Sequence, residues 1–282
     1  MSADPTVFLN GSYMKLSEAK VPVLDRGFIF GDGVYDVVPV YGRRMFRAQE
    51  HMARLASSLS KISIANPYSK EEWIGIVDRV IESSDENDQL VYIQVTRGAA
   101  PRLHAFPKES TPTVFVMSNP LPMPSAEARS QGVACVTMPD ERWLHCDIKS
   151  VSLLGNVLAA QHAAAHNAAE SIMFRDGILT EASSSNVWVV KDGTVIGPKK
   201  DHRVLEGIRY GLLETLCKEG NIPFQMRDIA QSEVFGADEI LLTSAAKEVL
   251  PVTHIDGKPV GAGVPGPIYA KLYALYQTIK AL

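Results

Sequence analysis

Three stretches of this 282-residue chain carry side chains that could act together on an amine or a carbonyl. The first is Asp147-Ile148-Lys149-Ser150, ahead of Leu153-Leu154-Gly155-Asn156. Burial among apolar neighbours disfavours an ammonium, and the neutral amine that results is a nucleophile. An isolated lysine is more often a solvated surface group, so the local context leaves both readings open. The second stretch is Thr180-Glu181-Ala182-Ser183-Ser184-Ser185-Asn186, followed by Val187-Trp188-Val189-Val190. A carboxylate beside small hydroxyls at a strand mouth can position a cationic heterocycle and its ring substituents; the alternative is a plain polar loop. The third is Leu205-Glu206-Gly207-Ile208-Arg209, opening an amphipathic run with Ile208, Leu212, Leu213 and Leu216 on one stripe. Gly207 would let an anion approach the first free N–H groups of that helix, although many such glycines are only caps.

Elements must hold these residues in place. Thr6–Leu9 and Tyr13–Leu16 around Asn10-Gly11 read as a hairpin, as do Val34–Tyr41 and Arg44–Arg47 around Gly42. Glu50–Leu59 has helical spacing at Met52, Leu55, Ala56 and Leu59, and Ser69 with Glu72 forms a capping box for a helix running through Val80 and Ile81. Leu90–Thr96 and Thr113–Met117 read as strands. Three prolines in Ser118–Ser125 deny the backbone donors, which predicts a linker over 119–125 between an N-terminal domain (1–118) and a C-terminal domain (126–282). Beyond it the pattern predicts strands at Val133–Met138, Ser171–Arg175, Asn186–Lys191 and Glu239–Thr243, with helices at Leu154–His166, Ile208–Glu219 and Ile268–Ile279. Asp176-Gly177, Asp192-Gly193 and Asp256-Gly257 mark antiparallel turns. Strand runs with segregated helices indicate an α+β protein, and without a G-x-G-x-x-G after a strand a dinucleotide fold is set aside.

Composition removes other classes. A net charge of −4 without a dense basic cluster argues against nucleic-acid binding; the densest run is Lys199, Lys200, His202 and Arg203. Cys135, Cys146 and Cys217 are too scattered for a disulfide framework or zinc site and read as small core residues, with Cys146 close in sequence to Lys149. The Met1-Ser2-Ala3-Asp4-Pro5 start lacks a signal-peptide pattern, and no apolar run reaches the roughly 20 residues that cross a bilayer, so a soluble cytoplasmic protein without membrane partners is expected. His162 and His166 lack the Glu of a zinc-protease helix, the Ser183–Ser185 row lacks a nucleophile elbow, and Asp85–Asp88 reads as a solvated loop. No metal is expected. Tyr269, Tyr273 and Tyr276 read as packing or interface residues.

Taken together and in order, the motifs resemble fold-type IV pyridoxal-phosphate (PLP) enzymes, a family that includes D-amino-acid aminotransferases, branched-chain aminotransferases and aminodeoxychorismate lyase. The resemblance rests on Asp25-Arg26-Gly27, Phe30-Gly31-Asp32-Gly33-Val34-Tyr35, His51-Met52-Ala53-Arg54-Leu55, Lys149, Glu181 and Leu205-Glu206-Gly207-Ile208, spread over nearly the whole chain. It implies two domains, α/β at the N-terminus and β-rich and barrel-like at the C-terminus, with PLP as cofactor and a homodimer as the assembly. By resemblance Lys149 is the Schiff-base lysine and proton shuttle, and Glu181 the partner of the pyridinium nitrogen. Arg54, the Ile208 and Arg209 N–H groups and Ser244 form the phosphate cup, with Ser185, Asn186, Leu205, Gly207 and Ala245 also around the cofactor. D-amino-acid members usually carry a hydroxyl where this chain has Ala245, so one phosphate hydrogen bond is missing or replaced.

The segment Arg97-Gly98-Ala99-Ala100-Pro101-Arg102-Leu103-His104-Ala105-Phe106-Pro107 resembles the D-amino-acid aminotransferase signature. It implies that Tyr35, Arg102 and His104 bind the substrate α-carboxylate, for which a guanidinium fork and two further donors are suited. The expected reaction is ping-pong transamination between a D-amino acid and a 2-oxo acid, of the D-alanine/2-oxoglutarate type. The alternatives are a branched-chain L-aminotransferase, aminodeoxychorismate lyase, or a PLP-binding protein without turnover.

Overall fold

Asn10 and Gly11 both take positive φ, 48° and 90°, a tight-turn geometry whose twist matches that of the strands it joins. They connect β1 (Thr6–Leu9) to β2 (Ser12–Lys15) in the expected hairpin. The computed structural model describes residues 4–281; the Met1-Ser2-Ala3 part of the N-terminal reading lies outside the described residues. Contacts divide the chain into two units. One takes the chain up to Pro122 together with Ile148–Leu153, and the other takes Met123–Asp147 and the chain from Leu154 onward.

In the first unit, α1 (Arg26–Phe30) leads into β3 (Gly33–Tyr41), which turns back at Gly42 and Arg43 into β4 (Arg44–Met45). β4 is shorter than expected because Arg47 takes a left-handed φ of 56° as the N-cap of α2 (Ala48–Lys61). The expected capping box opens α3 (Lys70–Glu82): Ser69 Oγ accepts from Glu72 N at 3.2 Å, and Glu72 accepts from Ser69 N at 2.7 Å. β5 (Gln89–Thr96) and β6 (Thr113–Pro120) complete an antiparallel sheet in the order β2-β1-β6-β5-β3-β4. β5 alternates, with Val91, Ile93 and Val95 buried and Leu90, Tyr92 and Gln94 half-buried. The buried set meets Leu55 and Leu59 of α2 and Trp73, Val77 and Val80 of α3 in one core.

β6 runs past its expected end at Met117 into the proline stretch, and Pro120 pairs with Gln89. On its other side β1 pairs only at Phe115 and Val116, so at Pro120 the strand is an edge where a missing N–H breaks no ladder.

The second unit begins with α4 (Ala126–Gln131), β7 (Val133–Pro139) and α5 (Leu154–Ala165). β8 (Glu170–Arg175) and β9 (Ile178–Ala182) follow, then β10 (Asn186–Lys191) and β11 (Thr194–Gly197). The chain continues through α6 (Ile208–Glu219), β12 (Phe224–Met226) and α7 (Gln231–Phe235). It closes with β13 (Glu239–Ser244), β14 (Glu248–Ile255), β15 (Lys258–Pro259) and α8 (Pro267–Lys280). The three Asp-Gly pairs all have positive φ and turn β8 into β9, β10 into β11 and β14 into β15. The sheet order is β12-β11-β10-β13-β14-β7-β8-β9, with β15 on β14. β9 and β10 stand far apart in that order, yet only Ser183–Ser185 connect them, and Ala182 N donates to Ser185 O at 2.8 Å. The sheet therefore curls back on itself, which gives the expected α+β class with a barrel-like second unit. No helix among the described residues is long and apolar enough to cross a membrane.

Asp25 ties α1 to its sheet. Its Oδ1 accepts from Gly27 N at 2.8 Å, and its Oδ2 accepts the Thr96 and Thr113 hydroxyls at 3.1 and 2.6 Å. A Cβ on Gly27 would overlap Thr96 Cγ2. Gly27→Ala is therefore expected to destabilise the protein by about 1–3 kcal/mol, read from urea unfolding. A variant as stable as the parent would refute this packing.

Candidate active site

In the first unit, the returning segment Ile148–Leu153 pairs with the start of β3. Tyr35 N donates to Lys149 O at 2.9 Å, Val151 N donates to Gly33 O at 3.1 Å, and Val34 and Ser150 form a bridge. Gly31 turns with φ 66° and its carbonyl accepts the Ser152 hydroxyl at 2.9 Å. Ile148 packs into the core, so Lys149 projects the other way, with Nζ 4.2 Å from the centroid of the Tyr35 ring. Among the described residues Lys149 has no carboxylate partner. Tyr35 stacks on Tyr92 at 5.7 Å, and the Tyr92 hydroxyl donates to Gln94 at 2.7 Å. Burial, with Tyr35 beside it, pushes the Tyr92 phenol up to about 12.

Asp36, the next residue on β3, points to the helix-covered face and is fully buried. Arg54 grips it with two hydrogen bonds of 2.9 Å, and His51 Nδ1 lies 2.6 Å from its Oδ1. Burial works against the Asp36 charge, but Arg54 and His51 outweigh it and hold the carboxyl well below the usual range. The Arg54 guanidinium is thus oriented in advance.

A second acid organises the loop that carries Arg102 and His104. Asp32 accepts from Arg26 Nε at 2.7 Å and from Arg97 Nε and Nη2 at 2.8 and 3.0 Å. Arg26 then donates to the carbonyls of Leu103 at 2.6 Å and His104 at 3.2 Å. Arg97 covers the Phe106 ring at 3.6 Å. With the loop backbone held, Arg102 and His104 stay exposed and both lean on Phe30, at 5.4 and 5.5 Å. The structure gathers these two residues; Tyr35 belongs to the separate cluster with Lys149 and Tyr92. Sequence reasoning assigned no role to Arg26, Asp32 or Arg97, although all three stand inside the motifs it singled out.

In the second unit, Glu181 lies near the end of β9, almost wholly buried. Arg142 Nη1 donates to its Oε1, Leu205 N to its Oε2 at 3.1 Å, and Asn186 Nδ2 to the same oxygen at 3.4 Å. Arg142, which no sequence signal marked, also chelates Asp140 through Nε at 2.9 Å and Nη2 at 2.8 Å. Asp140 further accepts the Thr180 hydroxyl at 2.8 Å; against the burial cost, these donors keep its carboxyl below the usual range.

Ser183, Ser184 and Ser185 do not present a free row of hydroxyls. All three donate to the buried carboxylate of Glu170, Ser184 at 2.6 Å and Ser185 at 2.7 Å, and Ser184 N adds a bond of 3.1 Å. Asn186 Nδ2 also donates to Leu205 O at 3.0 Å, and Asn186 pairs with Thr243, the residue before Ser244. Asn186 therefore gathers the serine loop, the start of α6 and the end of β13. Gly207 is the N-cap of α6 in an extended conformation and, having no side chain, supplies no cap oxygen to the helix that starts at Ile208. Ala245 lies in the turn between β13 and β14.

Residues set aside earlier sit in structural roles. Cys135, Cys146 and Cys217 are free and buried. Despite its closeness in sequence to Lys149, Cys146 falls in the second unit, donates to Trp143 O at 3.2 Å, and has its thiol pushed up to about 11 by burial. His166 Nδ1 bonds to His162 O at 2.8 Å, one helical turn back. Tyr269 stacks on Tyr273 and Tyr276 is buried.

The chain belongs to the amino-transferase class IV family, whose profile matches residues 33–255. It is 39% identical over 271 residues to the D-alanine aminotransferase of Bacillus licheniformis, covering 96% of this chain and 95% of that one. The D-alanine aminotransferase of Staphylococcus epidermidis is 39% identical over 267 residues, 94% of each chain. Among solved structures, the branched-chain amino acid aminotransferase of Escherichia coli superposes with a TM-score of 0.91 at 24% identity, over 96% of this chain and 93% of that one. The branched-chain aminotransferase of the archaeon Thermoproteus uzoniensis, solved with norvaline, gives 0.90 at 24%, over 99% and 96%. At that identity the structural likeness speaks for the fold alone.

Asp36→Asn removes the charge shared by Arg54 and His51. It is expected to destabilise the protein by about 3 kcal/mol at pH 7, since removing one partner leaves buried charge uncompensated. Because the folded carboxyl lies below its ordinary 3.8, this contribution is complete above that pH and fades as pH falls toward the folded value. Unfolding curves of the two proteins should therefore converge in acid, and a constant gap down to pH 2 would contradict the assignment.

Proposed function

We propose that this chain is a PLP-dependent aminotransferase that exchanges the amino group of a D-amino acid with a 2-oxo acid in two half-reactions, with D-alanine and 2-oxoglutarate as the representative pair. The loop bearing Arg102 and His104 carries the choice of substrate: its backbone is held by Arg26 while both cationic or donor tips stay open to an anion. The near-full-length likeness to D-alanine aminotransferases supports the same choice.

The residues present fit the cofactor. Among the described residues Lys149 offers an amine with no carboxylate partner, Glu181 a carboxylate that accepts from Arg142, Asn186 and Leu205 N, and α6 a glycine N-cap. PLP, when bound, would supply an electron sink that weakens the bond between the substrate α-carbon and its proton. In this reading Lys149 Nζ would hold the cofactor and would also carry the substrate α-proton. Glu181 holds a proton on the ring nitrogen, and Asn186 and the Leu205 N–H keep Glu181 aimed. Arg54, Ser244 and the N–H groups of Ile208 and Arg209, opened by Gly207, grip the phosphate. Ser185 and Ala245 line the same cup. Tyr35, Arg102 and His104 bind the substrate carboxylate. The protein acts in the cytoplasm as a homodimer, a state that sedimentation would read directly.

Purified protein mixed in turn with D-alanine, D-glutamate and L-leucine should show a shift in the cofactor absorbance band with the D-amino acids. A response to L-leucine alone would instead establish a branched-chain enzyme. Lys149→Ala should abolish the borohydride-stable adduct with PLP; an adduct that persists assigns the anchor to another lysine. Arg102→Leu should raise the KM for D-alanine by roughly 10–100-fold, the worth of a charged hydrogen bond, and an unchanged KM would remove Arg102 from carboxylate binding.

A further inference from the structure

Glu170 opens β8 with only 1% exposure, and its carboxylate is saturated. Besides the three serine hydroxyls and Ser184 N, its Oε1 accepts from Lys247 Nζ at 2.7 Å. Two consequences follow for the cup assigned to the phosphate. Hydroxyls that donate to Glu170 offer an anion on their far side only lone pairs. In addition, a buried negative charge beside Ser185 would repel a phosphate dianion unless something cancels it.

Lys247 is the group that can do so. It enters from the turn between β13 and β14, two residues after Ala245, and its Nζ also lies 3.1 Å from Ser184 Oγ. Lys247 N donates to Ser244 Oγ at 3.1 Å. A hydroxyl oxygen that accepts from behind has its own proton free to donate outward. One residue thus neutralises Glu170 and orients Ser244, at the place where the sequence has Ala245 instead of a hydroxyl.

We propose that Lys247 is a positioning residue for phosphate: its ammonium cancels the Glu170 charge behind the serine loop, and its N–H turns the Ser244 hydroxyl toward the anion. This rests on the cofactor reading above and deepens it. Lys247 acts through Glu170, so removing both charges restores what removing one destroys. A mere latch between two loops would behave otherwise.

The test uses full-length apoprotein titrated with PLP and, separately, with pyridoxal, which lacks the phosphate, by fluorescence quenching and equilibrium dialysis. Lys247→Met should weaken PLP binding by about tenfold or more while leaving pyridoxal affinity unchanged. Lys247→Arg should bind PLP close to the parent. The double variant Lys247→Met/Glu170→Gln should recover most of the lost affinity, and thermal melts of each apoprotein report whether the fold persists. PLP affinity unchanged in Lys247→Met, equal losses for PLP and pyridoxal, or a double variant no tighter than the single would each overturn the proposal while the cofactor reading stands. A parent protein that binds neither compound would overturn the cofactor reading and this inference with it.

Discussion

The backbone pairing of Lys149–Val151 with Gly33–Tyr35 is the constraint that places Lys149 beside Tyr35 in the first unit. A lysine at position 149 is separated from β3 by more than a hundred residues of chain, most of it folded into other elements. The pairing matters because strand geometry alternates: once Ile148 is in the core, Lys149 has to project onto the Tyr35 side. The same alternation sends Asp36, one residue after Tyr35, to the opposite face, where α2 brings Arg54 and His51 to meet it. Two neighbouring residues of one strand thereby meet two different sets of partners on opposite faces.

Buried or half-buried carboxylates recur behind the groups proposed to face a ligand. Asp32 stands behind the Arg102–His104 loop through Arg26, and Asp36 behind Arg54. Asp140 stands behind Glu181 through Arg142, and Glu170 behind the serine loop. In each case burial disfavours the charged carboxylate, and a nearby cation outweighs that cost and holds it below its ordinary range. A guanidinium already fixed by a carboxylate loses little side-chain freedom when it meets an anion. The acids are thus positioning devices for the cations and hydroxyls in front of them.

Much of the fold was legible locally. The Asn-Gly and Asp-Gly turns, the Ser69–Glu72 capping box and the bounds of α6 all depend on backbone preferences within a few residues, and the structure has them where expected. Most of the unforeseen elements are short: α1, α4, α7, β9, β11, β12 and β15 are too brief for periodicity to register, whereas β14, eight residues long, is buried at nearly every position and so shows no alternation. The end of β6 was misjudged because the sequence cannot say how far β1 extends, and only that decides whether Pro120 sits at an edge.

By itself, the sequence determined the order of the motifs, the alternation that separates Tyr35 from Asp36, and the candidacy of Lys149, Glu181, Arg54, Arg102 and His104. Only the tertiary structure decided the partners. Arg142 reaches Glu181 across 39 positions, Lys247 reaches Glu170 across 77, and Arg26 holds the His104 carbonyl across 78. It also turned the hydroxyls of Ser183–Ser185 toward Glu170 and placed Lys149 with the first unit. The reason is physical: φ and ψ preferences and hydrophobic periods are set by near neighbours. Which buried charge finds which counter-charge depends instead on strand order, and no local segment encodes that order.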